Sequence, residues 1–449
     1  PLFQMLGAFF SIFAIEQSQI GFLMNLMSGV ASAFTVLFMF WSISILLSKI
    51  SSSLKSKTDN YLTILISSFI ASLSFIFTDT FWFNAVETEV YAMATLIMSL
   101  LFYLGLRWEQ EMHLPKGNRW LILISFVVGL SFGVHFMGLL TIPAIGLIYF
   151  FKNYKPITIK KFILANVVVV GILMFVFKLL APNVLRYFSV LEVFFVNSVG
   201  LPFNSGTVIA GILLVTFFYY LLNYTIKNNL KTLNTVSLCV LFILIGFSSW
   251  IMLPIRANSD VVINENDPAD ARQLLAYYNL EQYPKTHLFY GPLFTDQYSG
   301  LDEKNPYKDD KPKYEKDLTQ NKYVIVNNYK NASQNFNSEH ASILPRMWSS
   351  EHASNYLRYT GFLDYEVKKK YRNQAEAKEL IDLVNDFKTR TYQGDVDYEE
   401  HHKFLKNYGT YLDIEKPSLI SNVKYLIQYQ LGYMYWRYFM WNFSGRQDD

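Results

Sequence analysis

RWLILISFVVGLSFGVHFMGLLTIPAIGLIYFF, residues 119–151, carries no charge after Arg119 except at His135. A single helix of that length would overrun the ~30 Å hydrocarbon core of a bilayer. Gly129, Gly133 and His135 fall near its middle, so the stretch reads as a tight helical hairpin with arms 119–134 and 135–152. The hairpin's tip need not cross the full membrane. On either side lie further apolar runs, at roughly 21–48, 59–79, 86–106, 161–181, 204–226 and 232–255. Spans of about 20 apolar residues are what a bilayer requires. Residues 1–15 are too short to span and suit a helix lying on the surface. The fold expected is an α-helical polytopic membrane domain of about eight membrane helices over residues 1–256. A mixed α/β domain over 257–449 follows it.

Composition agrees. Of 449 residues, 52% are hydrophobic and 17% aromatic, and only 17% are charged. The charged share is below the roughly 25% of a soluble domain. The net charge of +3 is small, and the basic residues of the first half lie in loops between apolar runs. That is no nucleic-acid footprint. The single cysteine, Cys239, lies inside an apolar run and has no intrachain partner. The opening PLFQMLGAFF and the ending NFSGRQDD lead us to expect a piece cut from a longer chain at both ends.

Loop charge sets the expected orientation. One set of loops holds Lys49, Lys55, Lys57, Arg107, Lys116, Arg119, Lys152, Lys155, Lys160, Lys161, Lys227 and Lys231; the alternate loops hold only Arg186. The first set is expected to be cytoplasmic. Residues 79–87, the hairpin tip, the loop 182–203 and residues 257–449 then face the other side, the periplasm if the membrane is a bacterial inner membrane.

FTDTFWFNAVETEVYAM, residues 77–93, places Asp79, Glu87 and Glu89 between two apolar runs on that outer side. Asp79 either caps the helix that begins DTFWFNAVE or belongs to a site. Glu87 and Glu89 are expected about one turn inside an apolar helix, where charge is expensive and lines a cavity. Two residues apart on a helix, they would point about 200° away from each other. In the polar half, NKYVIVNNY (321–329) reads as a strand. Residues 374–391 and 415–441 read as helices, the latter aromatic enough for a membrane interface. EEHH (399–402) is a weak metal motif, since adjacent histidines on a helix point apart. GLSFG (129–133) imitates a nucleophile elbow but lies in a membrane hairpin rather than between strand and helix. Asn-x-Ser/Thr triplets at Asn223, Asn331 and Asn442 are common by chance.

Seven strings together resemble a family: 77–93, 119–140, FFVNSVGLPFNSG (194–206), LPIRANSDVVINENDPAD (253–270), LFYGPLF (288–294), LPRMWSS (344–350) and YMYWRYFMWNFSGRQDD (433–449). The family is a bacterial group of large multi-pass membrane proteins related to the animal transmembrane O-mannosyltransferase of plexin-type receptors. The resemblance implies a GT-C glycosyltransferase. Such enzymes move a sugar, here mannose, from a polyprenyl-phosphate carrier to a hydroxyl of a protein acceptor at the outer face. It also implies a principal catalytic acid ahead of Pro1-Leu2-Phe3, with Asp79, Glu87 and Glu89 in support. Donor phosphate or sugar would meet Arg256, His135, Arg186 and Tyr91. Arg256 suits a phosphate because guanidinium pairs with it bidentately; it also fits an ordinary interface arginine. His135 likewise fits a helix–helix hydrogen bond. Asn264, Glu265, Asn266, Arg437 and Arg446 would shape the outer domain or bind acceptor. Many members carry Asn shortly after the histidine, where this chain has Gly138. No metal ligands are assigned, though some GT-C enzymes use a divalent ion. A non-catalytic scaffold or secretion-complex subunit and a transporter are the rival readings. The scaffold leaves the paired glutamates unexplained, and a transporter predicts an inverted repeat that the sequence lacks.

Overall fold

The computed structural model describes residues 1–53, 61–259, 261–283, 287–302, 304–372 and 377–444. The chain forms two compact units, one of residues 1–282 with 316–324 and one of 283–315 with 325–449. Residues 257–282 therefore pack with the helical unit, beyond the expected membrane boundary at 256. Packing and membrane boundaries answer to different forces, contact in one case and hydration in the other.

The first unit is helical. Its elements are α1 (Leu2–Ser11), α2 (Ile20–Ser53), α3 (Tyr61–Ile76), α4 (Asp79–Val86), α5 (Val90–Glu111), α6 (Asn118–Ser131) and α7 (Thr141–Asn153). They continue as α8 (Ile159–Met174), α9 (Ala181–Asn197), α10 (Ser205–Lys227), α11 (Lys231–Phe247), α12 (Met252–Ala257) and α13 (Ala271–Tyr278). Among the described residues six helices are long and apolar enough to cross a membrane, and the α3–α4 pair, bent by 70°, is a further broken span. The shorter apolar α6 is an additional segment. This is a multi-pass membrane protein.

Salt bridges show how the helices align. Glu109 at the end of α5 meets Lys49 of α2 and Lys152 of α7, the latter at 3.2 Å. Glu111 meets Arg119 at the start of α6 at 2.7 Å, and Asn118 reaches Thr235 of α11 at 3.1 Å. The basic ends thus gather on one face of the bundle, as strict alternation of spans requires. Lys55 and Lys57 lie outside the described residues.

The break expected near His135 is present. Helix α6 ends at Ser131, and a 3-10 turn over Phe136–Leu140 leads into α7. Both arms pack on α5. Gly138 sits at the fold of the tip: a Cβ there would lie 2.8 Å from Ser131 Cβ and 2.9 Å from Ile97 Cγ2. A larger residue needs those neighbours to shift.

Three expectations are corrected. Glu87 and Glu89 are not inside a helix. Glu87 follows α4 with φ −114° and Glu89 precedes α5 with φ −126°, both extended and exposed. In extended backbone residues two apart share a side, so the 200° separation does not apply. Asp79 is not the cap; Thr78 occupies that position, and Asp79 is the first helical residue, where its charge suits the helix dipole. The span 182–203 is a loop only from Ser198 onward, since residues 182–197 are helical. The α8 helix runs through a π-helical stretch into α9, so Arg186 is an exposed helical residue.

The second unit is mixed α/β. Its strands form short antiparallel pairs, Tyr290–Pro292 with Ala341–Ile343 and Tyr365–Val367 with Leu412–Ile414 among them. The expected strand is present as Lys322–Ile325, at the edge of the segment that packs with the first unit. Helices Ala353–Thr360, Ala377–Gln393 and Tyr398–Tyr408 close the core, where Phe387 stacks on Phe404 at 3.8 Å. The C-terminal helix starts at Leu419, turns π-helical over Leu426–Trp436 and runs to Ser444, with most of its aromatic residues exposed.

His401 and His402 point apart. His402 meets the Tyr298 hydroxyl, whereas His401 is buried against Phe362, Tyr365 and Phe387. Neither ring nitrogen of His401 has a hydrogen-bond partner. Burial, with His402 adding to it, lowers its pKa from 6.5 to about 4, and burial does the same for His340. The unfolded chain takes up these protons first. Stability is therefore complete above about pH 6.5 and falls as pH drops toward 4, by roughly 1.4 kcal/mol per unit per histidine. His401→Leu is expected to stabilise the chain, and by about 2 kcal/mol more at pH 5 than at pH 7.5. Thermal unfolding of both chains at the two pH values checks this; an equal gain at both would refute it.

Candidate functional site

Arg256 stands in the last turn of α12, exposed. The position of α12 follows from Trp250 just before it. The buried indole of Trp250 donates to the Phe132 carbonyl at 2.8 Å and so ties the end of α11 to the hairpin tip. Arg256 opens into a cavity of about 920 Å³. The opposite wall is α1, through Gln4, Met5, Ala8, Phe9 and Ile12. That spacing is one helical face, so the helix expected to lie on the surface lines this cavity with one face.

The third wall is the segment from Val261 to Pro268, which contributes Asn264 and Glu265. Asn264 fastens it, donating to Asp267 Oδ1 at 2.8 Å and to the Ala257 carbonyl at 3.3 Å. Asn266 has φ 59°, a left-handed conformation that asparagine tolerates. Of the three residues read as NEN, Asn264 holds the loop, Glu265 faces the cavity and Asn266 makes the turn. Among the described residues neither Arg256 nor Glu265 enters an ion pair. Two opposite charges thus line one apolar-walled cavity unneutralised.

A second cluster lies at the hairpin tip. The Gly133 carbonyl accepts the Phe3 N–H at 3.3 Å, and a Cβ on Gly133 would lie 2.7 Å from Leu2 Cβ. Two residues on, His135 Nδ1 accepts the Met137 N–H at 3.1 Å, which leaves the proton on Nε2. The ring of His135 packs 5.5 Å from that of Tyr91 in the first turn of α5. Glu89 immediately precedes that helix. The N-terminal residues join the two clusters, since Leu2 meets Gly133 and Pro1 lines the Arg256 cavity.

The expected site residues divide accordingly. His135, Tyr91 and Glu89 belong to the tip, and Arg256, Asn264 and Glu265 to the cavity. Asp79 and Glu87 stand at opposite ends of α4, about 12 Å apart along its axis, so the three carboxylates do not converge. Arg186 is on the outside of α9. Arg437 is engaged by its own helix, donating to the Tyr433 hydroxyl at 2.6 Å and lying 4.2 Å from that ring. Arg446 lies outside the described residues. Among the described residues no group of three His, Cys, Asp or Glu side chains could hold a metal ion.

One important residue escaped sequence reasoning. Glu192 is fully buried and accepts the N–H groups of Asn204 and Thr207 at 2.6 and 2.8 Å, and the Thr207 hydroxyl at 2.9 Å. It thereby anchors the N-terminus of α10. The Tyr323 hydroxyl donates to it at 3.2 Å; burial, and the carboxylates of Asp270 and Glu192, push that phenol's pKa up and keep it protonated. The signal was available: Glu192 is the only acidic residue between Glu111 and Asp260. Glu192→Ala is expected to cost about 3 kcal/mol or more, since it strands these buried donors. Thermal unfolding together with faster amide exchange at 204–208 checks it, and an unchanged melting temperature would contradict the assignment.

Comparison with known proteins places these elements. Residues 1–158 match the model of the Protein O-mannosyl-transferase TMEM260 N-terminal domain, as the resemblance led us to expect. That stretch contains α1 to α7 and the whole tip cluster. Residues 284–427 match a Family of unknown function (DUF8416), which lies mostly in the second unit. No curated protein and no solved structure matches the chain.

Proposed function

We propose, from the match of residues 1–158 to an O-mannosyltransferase N-terminal domain, that this chain is a membrane glycosyltransferase. It moves a sugar, mannose, from a polyprenyl-phosphate carrier to a hydroxyl of a protein acceptor. The observation that carries the site is Arg256, in no ion pair among the described residues, in a cavity lined by α1. The apolar face of α1 suits a prenyl chain, and the guanidinium suits its phosphate.

Transfer breaks the bond between the sugar's anomeric carbon and the phosphate oxygen, and forms one to the acceptor oxygen. The phosphate leaves with the bonding electrons, and Arg256 stabilises the charge that develops there. The acceptor's proton goes to a carboxylate, for which Glu89 at the tip and Glu265 in the cavity are the candidates. His135, with its proton on Nε2, donates a hydrogen bond to sugar or phosphate beside Tyr91. By the positive-inside rule the lysine-rich face is cytoplasmic. The site then opens to the opposite side, the periplasm for a bacterial inner membrane, with residues 257–449.

The test uses the full-length protein in detergent with polyprenyl-phosphate-mannose and an acceptor protein. Wild type is expected to transfer mannose, and Glu89→Gln or Glu265→Gln to lose about 10²-fold or more as the proton acceptor. Absence of transfer from any lipid-linked sugar by folded wild type would sink the enzyme reading and favour a scaffold.

A further inference from the structure

A second cavity, of about 570 Å³, lies among α6, α7, α8 and α11 in the membrane-spanning unit, on the lysine-rich side and away from the Arg256 site. Its walls are mostly apolar, and the charge of Lys161 points to an anionic ligand. Lys161, in the first turn of α8, stands at one end; among the described residues its ammonium meets only the Pro156 carbonyl, at 3.2 Å. Lys152, by contrast, is paired with Glu109 at 3.2 Å. The ring of Trp108, stacked on Tyr149 at 5.5 Å, forms part of the apolar wall.

The cavity's depth is also informative. Lys161 and Ile172 both line it and stand about 16 Å apart along α8 at 1.5 Å per residue. That is close to half of the ~30 Å hydrocarbon core. We propose that this cavity holds an acyl chain of an anionic glycerophospholipid from the leaflet on the lysine-rich side. The lipid phosphate pairs with Lys161. A positive charge at the mouth and an apolar slot one leaflet deep match the order of groups along such a lipid. The proposal is independent of the transfer reaction.

Native mass spectrometry and lipid extraction of the detergent-purified full chain test it. Wild type is expected to retain an anionic phospholipid. Ala165→Phe, which fills the cavity, and Lys161→Glu are each expected to lower retention about tenfold or more. Lys227→Glu, on the same face but outside the cavity, leaves it unchanged. Monodispersity and melting temperature confirm that each variant is folded. No retained lipid in wild type, equal retention in folded Ala165→Phe, or a polyprenyl phosphate as the retained species would each overturn the proposal.

Discussion

Gly129→Leu is expected to abolish the folded bundle. Helices α6 and α11 cross where Gly129 and Gly246 face each other. A Cβ on Gly129 would clash with the Ile243 carbonyl and lie 2.9 Å from the Gly246 Cα; one on Gly246 would lie 2.6 Å from the Leu130 amide. Backbone cannot yield as a flexible side chain does. In a bilayer, helix association rests on such close packing rather than on hydrophobic exclusion. Separating the helices also opens the core built from Val127, Val128, Ile243 and Phe247. The cost is expected to exceed about 4 kcal/mol, the range reserved for core disruption. Gly171→Leu is the control: Gly171 is exposed on α8, a Cβ there would meet nothing within 4 Å, and the change should be nearly neutral. Monodispersity and thermal unfolding read both. A well-folded Gly129→Leu protein would mean that the crossing is not closely packed.

Arg256→Ala is expected to reduce sugar transfer by about 10²- to 10³-fold, the usual effect of removing one group that stabilises developing charge. If the guanidinium steadies the departing phosphate, kcat falls. If it only holds the bound donor, KM rises with kcat unchanged. We expect the former, because among the described residues Arg256 has no competing ion pair and can strengthen its contact as charge develops. Arg256→Lys should recover part of the loss but not the bidentate geometry. Arg186→Ala, on the outer surface of α9, should leave transfer intact. A full-rate Arg256→Ala enzyme would remove this cavity from the mechanism.

Much of the bundle was legible beforehand. The apolar runs became helices α2, α3, α5, α7, α8, α10 and α11, though α7 starts at Thr141 rather than 135 and α8 and α11 end at Met174 and Phe247 rather than 181 and 255; a bilayer demands long apolar segments with every backbone group paired. The hairpin break at Gly133 and His135 followed from the same arithmetic. Arg256, Asn264 and Glu265 were singled out as separate strings, yet nothing in the strings placed them in one cavity. That required α1 and α12 to line the same cavity, with Leu2 fitting against Gly133.

The charged residues near the helix ends were read less well. Hydropathy reports how apolar a window is, not where a helix stops within it. Val90 begins α5 only after Glu89, because exposing two carboxylates in an extended break costs less than burying them on a helix. Glu192 passed unnoticed for the complementary reason. Its burial is tolerable only because the start of α10, distant in sequence by a loop, brings it three donors, and Tyr323 a fourth. The sequence by itself determined which segments enter the membrane and how they alternate, since hydration of the backbone and of charge is a local cost. Only the tertiary structure decided which charges meet, which stay free for a ligand and which are neutralised, since those depend on side chains that the packed helices bring together.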